Sequence, residues 1–274
     1  MFVTIHKEAL LAHLHQLPSL PAILQEVIAS FSDPNLDAAT LAHKIEQDQG
    51  LSARVLRVAN SSFYGLPRKV GSVQDALVVL GFDTIRSMVL SAGMVQAFPV
   101  VPDSAFDRQS YWQRSFRVAL ISKALARQLR QGMQLSFTAG MFHDIGQLVF
   151  DLCIPKQFAV LLQQQADSGL SLAEIEQSGL GFDHAEIGAE LIRLWNFPSE
   201  IEQVVRCWQH PELTAEPLAG IVHIAALLEG GLRGDALMEK LLEHCRSTIS
   251  WTRIEACLPS QDQLEAAAGL VQVG

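Results

Sequence analysis

Apolar residues recur at three- and four-residue spacing along nearly the whole chain, and this periodicity limits the fold more than any other feature. Such spacing gathers the apolar side chains on one face of an α-helix, whereas a half-buried strand requires strict alternation. Strictly alternating runs are scarce, and no internal repeat is present. The sequence therefore predicts an all-α protein.

The first hundred residues predict a bundle of short helices separated by capping residues and breakers. Asp37 is expected to cap a helix that ends at Gln49-Gly50, after which Leu51 begins the second helix of a hairpin. Ser72, with Asp75 three residues later, resembles a capping box. Further helices are predicted over Ser19–Ser30, over Val73–Leu80 and after a cap at Asp83.

Two prolines, Pro99 and Pro102, predict a boundary between two lobes near Asp103, because proline cannot donate a backbone hydrogen bond and restricts its neighbour. We assign residues 1–102 to an N-terminal helical lobe, residues 103–230 to a second helical lobe and residues 231–274 to a C-terminal helical tail. Helices of the second lobe are predicted over Tyr111–Leu129, Ser136–Leu152, Ile154–Ser168, His184–Trp195, Ser199–Gln209 and Pro217–Leu228.

The net charge of -9 argues against a role that depends on nucleic acid, since the field of the whole molecule repels polyanions. The four cysteines are widely separated, which disfavours a zinc knuckle or a disulfide framework and favours the reducing cytoplasm. The most apolar stretch, residues 76–101, is interrupted by Asp83 and Arg86 and so falls short of the roughly 20 uninterrupted apolar residues that a membrane span requires. We expect a cytoplasmic protein without membrane insertion.

The string Phe142-His143-Asp144-Ile145-Gly146 is the strongest chemical signal in the chain. On one continuous helix, His143 would face the core with Asp144 beside it, so an imidazole and a carboxylate could share one divalent ion. His184 and His210 are the remaining candidate ligands. A satisfied histidine in the core remains an equally economical interpretation of each.

His143-Asp144 resembles the signature of the HD phosphohydrolase superfamily, and the surrounding residues resemble the HDOD family in particular. The resemblance extends from about Leu17 to about Leu228. It implies two helical lobes, the second of them a degenerate HD domain, and the Gly-Tyr-Pro element of the related HD-GYP enzymes is absent after His210. The matching segments are Leu17–Pro21, Leu51–Leu56, Val58–Tyr64, Ser72–Gly81 and His184–Ala189 with Trp195 and Pro198.

The HD pattern also implies a histidine on the helix before the His-Asp pair and an aspartate on a late helix. This sequence places Arg114 at the first position and Ala226 at the second. Because a guanidinium remains protonated, it repels a metal ion instead of binding it. We therefore expect an ion pair between Arg114 and Asp144, with no metal or other cofactor; were a metal bound, its ligands would be His143, Asp144, His184 and His210.

The resemblance implies a non-catalytic bacterial module of signal transduction that acts by binding a regulatory protein partner or a small ligand such as a nucleotide. One alternative is a metal-dependent phosphohydrolase or phosphodiesterase with a reduced site, in which a bound water attacks phosphorus. Another is a nucleic-acid-binding regulator, because the hairpin ending at Asn60 carries Arg54 and Arg57 on a helix that resembles a recognition helix.

Overall fold

A computed structural model describes residues 5–15, 19–31, 38–61, 64–133, 135–232 and 250–268. These residues form helices joined by short turns and contain no strand, so the predicted all-α class is confirmed. No described helix is both long and apolar enough to cross a bilayer. The N-terminal helices are α1 (Lys7–Leu14), α2 (Ala22–Ala29), α3 (Ala38–Gln47), α4 (Gln49–Ala59), α5 (Val73–Leu80) and α6 (Phe82–Ala97).

The α3–α4 hairpin is present, but the break between its helices differs from the prediction. Gln49 and Gly50 already belong to α4, and the Asp48 side chain caps that helix by accepting a hydrogen bond from the Leu51 amide at 2.9 Å. A short carboxylate before a helix satisfies an otherwise unpaired amide, which explains why the break falls at Asp48. Asp37 lies outside the described residues.

The predicted cap of α5 is confirmed, whereas the predicted cap of α6 is wrong. Ser72 caps α5 by accepting from the Asp75 amide. Asp83 does not cap α6, because the N-cap is Gly81, two residues earlier and at a φ of 82°, and the helix begins at Phe82. Asp83 instead lies in the first turn and pairs with Arg86, which is buried against the ring of Phe31.

The second half of the chain contains eight α-helices within the described residues up to 232 and two in the described part of the tail. A short 3₁₀ turn, Pro211–Leu213, precedes the last helix of the first group. The helices are α7 (Arg108–Leu129), α8 (Ser136–Phe142), α9 (Gly146–Cys153), α10 (Pro155–Ser168), α11 (Leu172–Leu180), α12 (His184–Leu194), α13 (Ser199–Cys207), α14 (Pro217–Glu229), α15 (Trp251–Glu255) and α16 (Gln261–Ala268).

The single helix predicted over Ser136–Leu152 is in fact two helices, and His143-Asp144-Ile145 forms the turn between them. The break directs Asp144 towards α7 and α12 instead of leaving it on the flank of a straight helix. Helix α11 was not predicted, although Ser171 and Glu174 form a complete capping box at its start.

The buried apolar residues of both halves form one continuous core. Phe98, just after α6, packs against Trp112 of α7 and Trp195 beyond α12, with ring centroids 6.2 and 5.7 Å apart. The segment after Phe98 is held by Arg108, which pairs with buried Asp151 and donates to the Pro99 carbonyl. The predicted lobe boundary near residue 103 falls in this non-helical segment and stays a prediction.

Candidate functional site

The turn between α8 and α9 places His143 and Asp144 against the start of α12. A Cβ atom added to Gly146 would lie 1.8 Å from the carbonyl oxygen of His184, so only glycine allows the two helices to approach this closely. His143, Asp144 and His184 are all buried. The glycine of the motif thus serves the site by permitting the backbone contact that brings both histidines to one carboxylate.

Both imidazoles are oriented towards Asp144 by a hydrogen bond at the opposite ring nitrogen. His143 Nδ1 donates to the Gly140 carbonyl at 2.7 Å, and His184 Nδ1 lies 2.6 Å from a carboxylate oxygen of Glu176. The two Nε2 atoms consequently face Asp144, one at each oxygen, both at 3.3 Å. The His143 ring also packs edge-on against Trp208.

Arg114 of α7 completes the surroundings of Asp144. Its Nη1 atom donates to Asp144 Oδ2 at 2.8 Å, so the expected ion pair is present. Its Nε atom donates to Glu229 at 3.2 Å, and the other oxygen of Glu229 accepts two hydrogen bonds from Arg117. Charges alternate along this chain of contacts from Asp144 to Arg117.

The buried charges shift one another's pKa values. Burial disfavours the ionised form of Asp144, but His143, His184 and Arg114 outweigh it and hold the pKa of this carboxyl well below its usual range. Burial alone would lower the pKa of His184, yet Glu176 and Asp144 raise it to about 10. The same balance raises the pKa of Arg114 through Asp144 and Glu229. The site is therefore a set of compensated ions at neutral pH.

His210 does not join this network. Its side chain is 68% exposed and lies 3.3 Å from Glu212, so the expectation that it contributes to the remnant site is corrected. The neighbouring Gln209 approaches His184 instead, with its side-chain amide 3.2 Å from Nε2. The reason is the end of α13 at Cys207, after which the chain turns and directs consecutive side chains differently.

Ala226 is buried in α14 and offers no polar group. Glu229, three residues later on the same helix, supplies the carboxylate that contacts Arg114. Sequence reasoning missed Glu229 because it is the last residue of an apolar helix, where a charge normally marks the transition to solvent. It missed Glu176 as well, although a carboxylate beside the buried Leu172 and Ile175 was a signal that it needs an internal partner.

The residues around Asp144 do not fit a divalent metal ion as they are arranged. Arg114 donates a hydrogen bond to an oxygen of Asp144 that a metal ion would need as a ligand. His184, when protonated, has no free lone pair with which to bind a metal. Among the residues that the structure describes, no three His, Cys, Asp or Glu side chains are placed to share one ion. The oriented Nε2 atoms are nevertheless the arrangement that a metal site would require.

An all-helical fold with a His-Asp turn at the meeting point of three helices defines an HD-like protein. A family model for the HDOD domain matches residues 17–211, and the chain belongs to the HDOD family. A relative from Treponema pallidum (strain Nichols) is 24% identical over 261 residues, which is 93% of this chain and 49% of that one. The chain thus spans about half the length of that relative.

Solved structures resemble the chain over nearly its full length. A protein of Shewanella amazonensis SB2B, provisionally named a phosphohydrolase, is 28% identical with a TM-score of 0.83, and 97% of this chain and 99% of that chain are covered. A Marinobacter aquaeolei VT8 protein, provisionally named a signal transduction protein, is 26% identical with a TM-score of 0.69. The match covers 98% of this chain and 62% of that chain. An HDOD domain protein of Geobacter sulfurreducens shares the fold at 23% identity and a TM-score of 0.81, with 97% of this chain and 99% of that chain covered.

Proposed function

We propose that this chain is a non-catalytic module of bacterial signal transduction, acting in the cytoplasm by binding a regulatory protein partner or a small ligand. The observation that carries the proposal is the Arg114–Asp144 ion pair at 2.8 Å. It places a permanent positive charge against the carboxylate that a metal-dependent hydrolase needs for its ion. Family membership and the provisional name of the Marinobacter relative support the signalling role.

The compensation of charges around Asp144 supports a structural role for the former site. Asp144 is held between Arg114 and His184, and Glu176 and Glu229 neutralise these two cations from the far side. Removing one member of such a network leaves an uncompensated buried charge, which commonly costs about 3–5 kcal/mol. The network joins α7, α11, α12 and α14 to the turn before α9, and in this proposal it stabilises the surface that a partner meets.

A reduced phosphohydrolase is the second candidate, favoured by one observation. The Nε2 atoms of His143 and His184 converge on Asp144 with their opposite nitrogens hydrogen-bonded, as in metal sites. The Shewanella relative is provisionally named a phosphohydrolase, in agreement with this candidate.

Binding of nucleic acid by the α3–α4 hairpin has less support. Leu51, Val55 and Val58 of α4 are buried in the core, and Arg54 donates to Gln96. A recognition helix must leave one face free for the groove. An absence of any salt-dependent mobility shift with duplex DNA would agree with the proposed signalling role.

The deciding experiment measures the metal content of protein purified without chelator, together with hydrolysis of bis(p-nitrophenyl) phosphate in the presence of Mg²⁺ or Mn²⁺. His143→Ala is the matched control. We expect no stoichiometric metal in either protein and no hydrolysis above the buffer rate. Near-stoichiometric metal that the variant loses, or hydrolysis that it abolishes, would overturn the proposal in favour of the phosphohydrolase.

A further inference from the structure

Along the chain of ion pairs from Asp144 to Arg117, the two carboxylates are more deeply buried than the two arginines. The side chains of Asp144 and Glu229 are 2% and 10% exposed, whereas those of Arg114 and Arg117 are 39% and 23% exposed. Solvent therefore meets two guanidinium groups, although the chain of ion pairs is electrically balanced. Two guanidinium groups that face solvent favour an anion locally, although the whole protein carries a net charge of -9.

Each of the two arginines has guanidinium N–H groups that do not donate to the carboxylates of this chain of ion pairs. Arg114 uses Nε and Nη1 for its carboxylates, and Arg117 uses Nε and Nη2. Arg114 Nη2 and Arg117 Nη1 make no hydrogen bond within the described ranges. Glu229 lies between the two guanidiniums and gives one oxygen to each, so it fixes their orientation before any ligand arrives. Pre-oriented guanidinium groups are well suited to a tetrahedral oxyanion.

A cavity of about 250 Å³ adjoins Arg117 and Glu229. Its walls are about equally apolar and polar and come from α7, α14 and the C-terminal segment, which adds Ser260 and Gln261. It is smaller than the roughly 300–1,000 Å³ of ordinary small-molecule sites, so it accepts only a compact group. Glu255 also lines it and disfavours a second negative charge there. The apolar lining residues are Ile121, Leu228, Trp251, Leu258, Pro259 and Leu264.

We propose that Arg114 and Arg117 bind the phosphate group of a small phosphate monoester whose uncharged organic part occupies the adjoining cavity. The inference rests on the proposed function in one respect only, namely that the ester is bound without being cleaved. It names the chemistry of the small ligand and assigns a binding role to Arg117, which no sequence pattern indicated.

The test is ³¹P NMR of phenyl phosphate titrated with the full chain in the presence of Mg²⁺, because the spectrum reports binding and hydrolysis separately. We expect line broadening and a saturable shift with wild-type protein, and about tenfold weaker binding for Arg117→Ala, the cost of one charge-assisted contact. Arg117→Lys should be intermediate, since it keeps the charge but loses the planar fork. Inorganic phosphate should bind more weakly than phenyl phosphate, because it leaves the cavity empty.

Arg206→Ala is the matched control, because Arg206, like Arg117, is a partly exposed arginine (36%) paired with glutamate, in its case Glu190 and Glu202. Its affinity should equal that of the wild type. Arg117→Ala leaves the Arg114–Asp144 pair in place, and a cooperative thermal unfolding transition well above the temperature of the titration verifies that the variant is folded. Absent binding, or equal binding by Arg117→Ala and wild type, overturns this inference and leaves the proposed function standing. Growth of a free phosphate signal overturns the proposed function while binding through Arg117 survives.

Discussion

Glu176 and His184 form a buried pair in which a carboxylate oxygen of Glu176 lies 2.6 Å from His184 Nδ1 and 2.8 Å from the His184 backbone nitrogen. The other ring nitrogen faces Asp144. His184 is thus held between two carboxylates, and this accounts for a pKa raised to about 10 despite complete burial. The imidazole is a cation at neutral pH and belongs to the ionic framework of the core.

This pair predicts a loss of stability at alkaline pH. The folded-state pKa of His184 lies above its ordinary value of 6.5, so the protonated ring stabilises the fold fully below pH 6.5, and the contribution is lost as pH rises through about 10. In urea titrations, the free energy of unfolding should fall over this window by on the order of a few kcal/mol. Glu176→Gln should flatten the decline.

Glu174→Gln provides the control for this measurement. Glu174 lies on the same helix but is exposed, and glutamine preserves its capping interaction with Ser171. Its pH profile should therefore follow that of the wild type. Identical alkaline slopes for Glu176→Gln and the wild type would contradict the assignment of the charge to His184.

The helical class follows from the periodicity, because burial of an apolar face dominates over local detail in a large core. The position of the His-Asp pair does not follow from it. A helix interrupted by a three-residue turn keeps nearly the same apolar pattern as a continuous one, so residues 136–152 gave no signal of the break between Phe142 and Gly146.

The charged residues of the site divide in a similar way. The Arg114–Asp144 pair was predictable because both residues fall at positions that a known pattern marks. Glu229 is distant in sequence from Arg114, and Glu176 lies on the helix just before His184, but only the tertiary structure shows that these two carboxylates neutralise His184 and Arg114. His210 was misplaced because the spacing of adjacent residues at a helix end does not determine which side chain turns inward.

Asp144→Asn should strongly destabilise the protein, since it leaves Arg114 and His184 without their shared carboxylate. We expect a loss of about 3–5 kcal/mol in the free energy of unfolding at pH 7. Because the pKa of Asp144 is depressed, its contribution is present above the unfolded-state pKa and disappears as pH falls through the lower folded value. The difference between wild type and variant should therefore shrink in acid.

Asp183→Asn is the comparison for that variant. Asp183 caps α12 through the Glu186 amide at 2.9 Å, and asparagine caps helices about as well as aspartate. Chemical denaturation should show a change within about 0.5 kcal/mol. A similarly small change for Asp144→Asn would show that the buried ions do not support the fold.

Arg114→His should create affinity for a divalent ion. The substitution removes the cation from Asp144 and adds an imidazole beside two others that already present Nε2. Elemental analysis after dialysis against Zn²⁺ should give close to one metal per chain, with little in wild type. Arg117→His is the control, because Arg117 contacts Glu229 and not Asp144. Equal metal contents in both variants would refute the idea that the contact of Arg114 with Asp144 blocks the site.

Gly146→Ala tests whether the approach of α9 to α12 is the constraint that builds the site. The added methyl group would lie 1.8 Å from the His184 carbonyl oxygen and 2.9 Å from the Gly188 backbone nitrogen. Backbone atoms cannot move aside as a flexible side chain can, so the two helices must separate. We expect the free energy of unfolding in urea to fall by at least about 3 kcal/mol.

Gly179→Ala, within α11, is the control. Its added methyl group would contact only a Leu161 methyl at 3.3 Å, and alanine gains about 1 kcal/mol of helix propensity, so the variant should be neutral or slightly stabilised. If the two variants unfold at the same urea concentration, the close contact of Gly146 with His184 is not what holds the two histidines around Asp144.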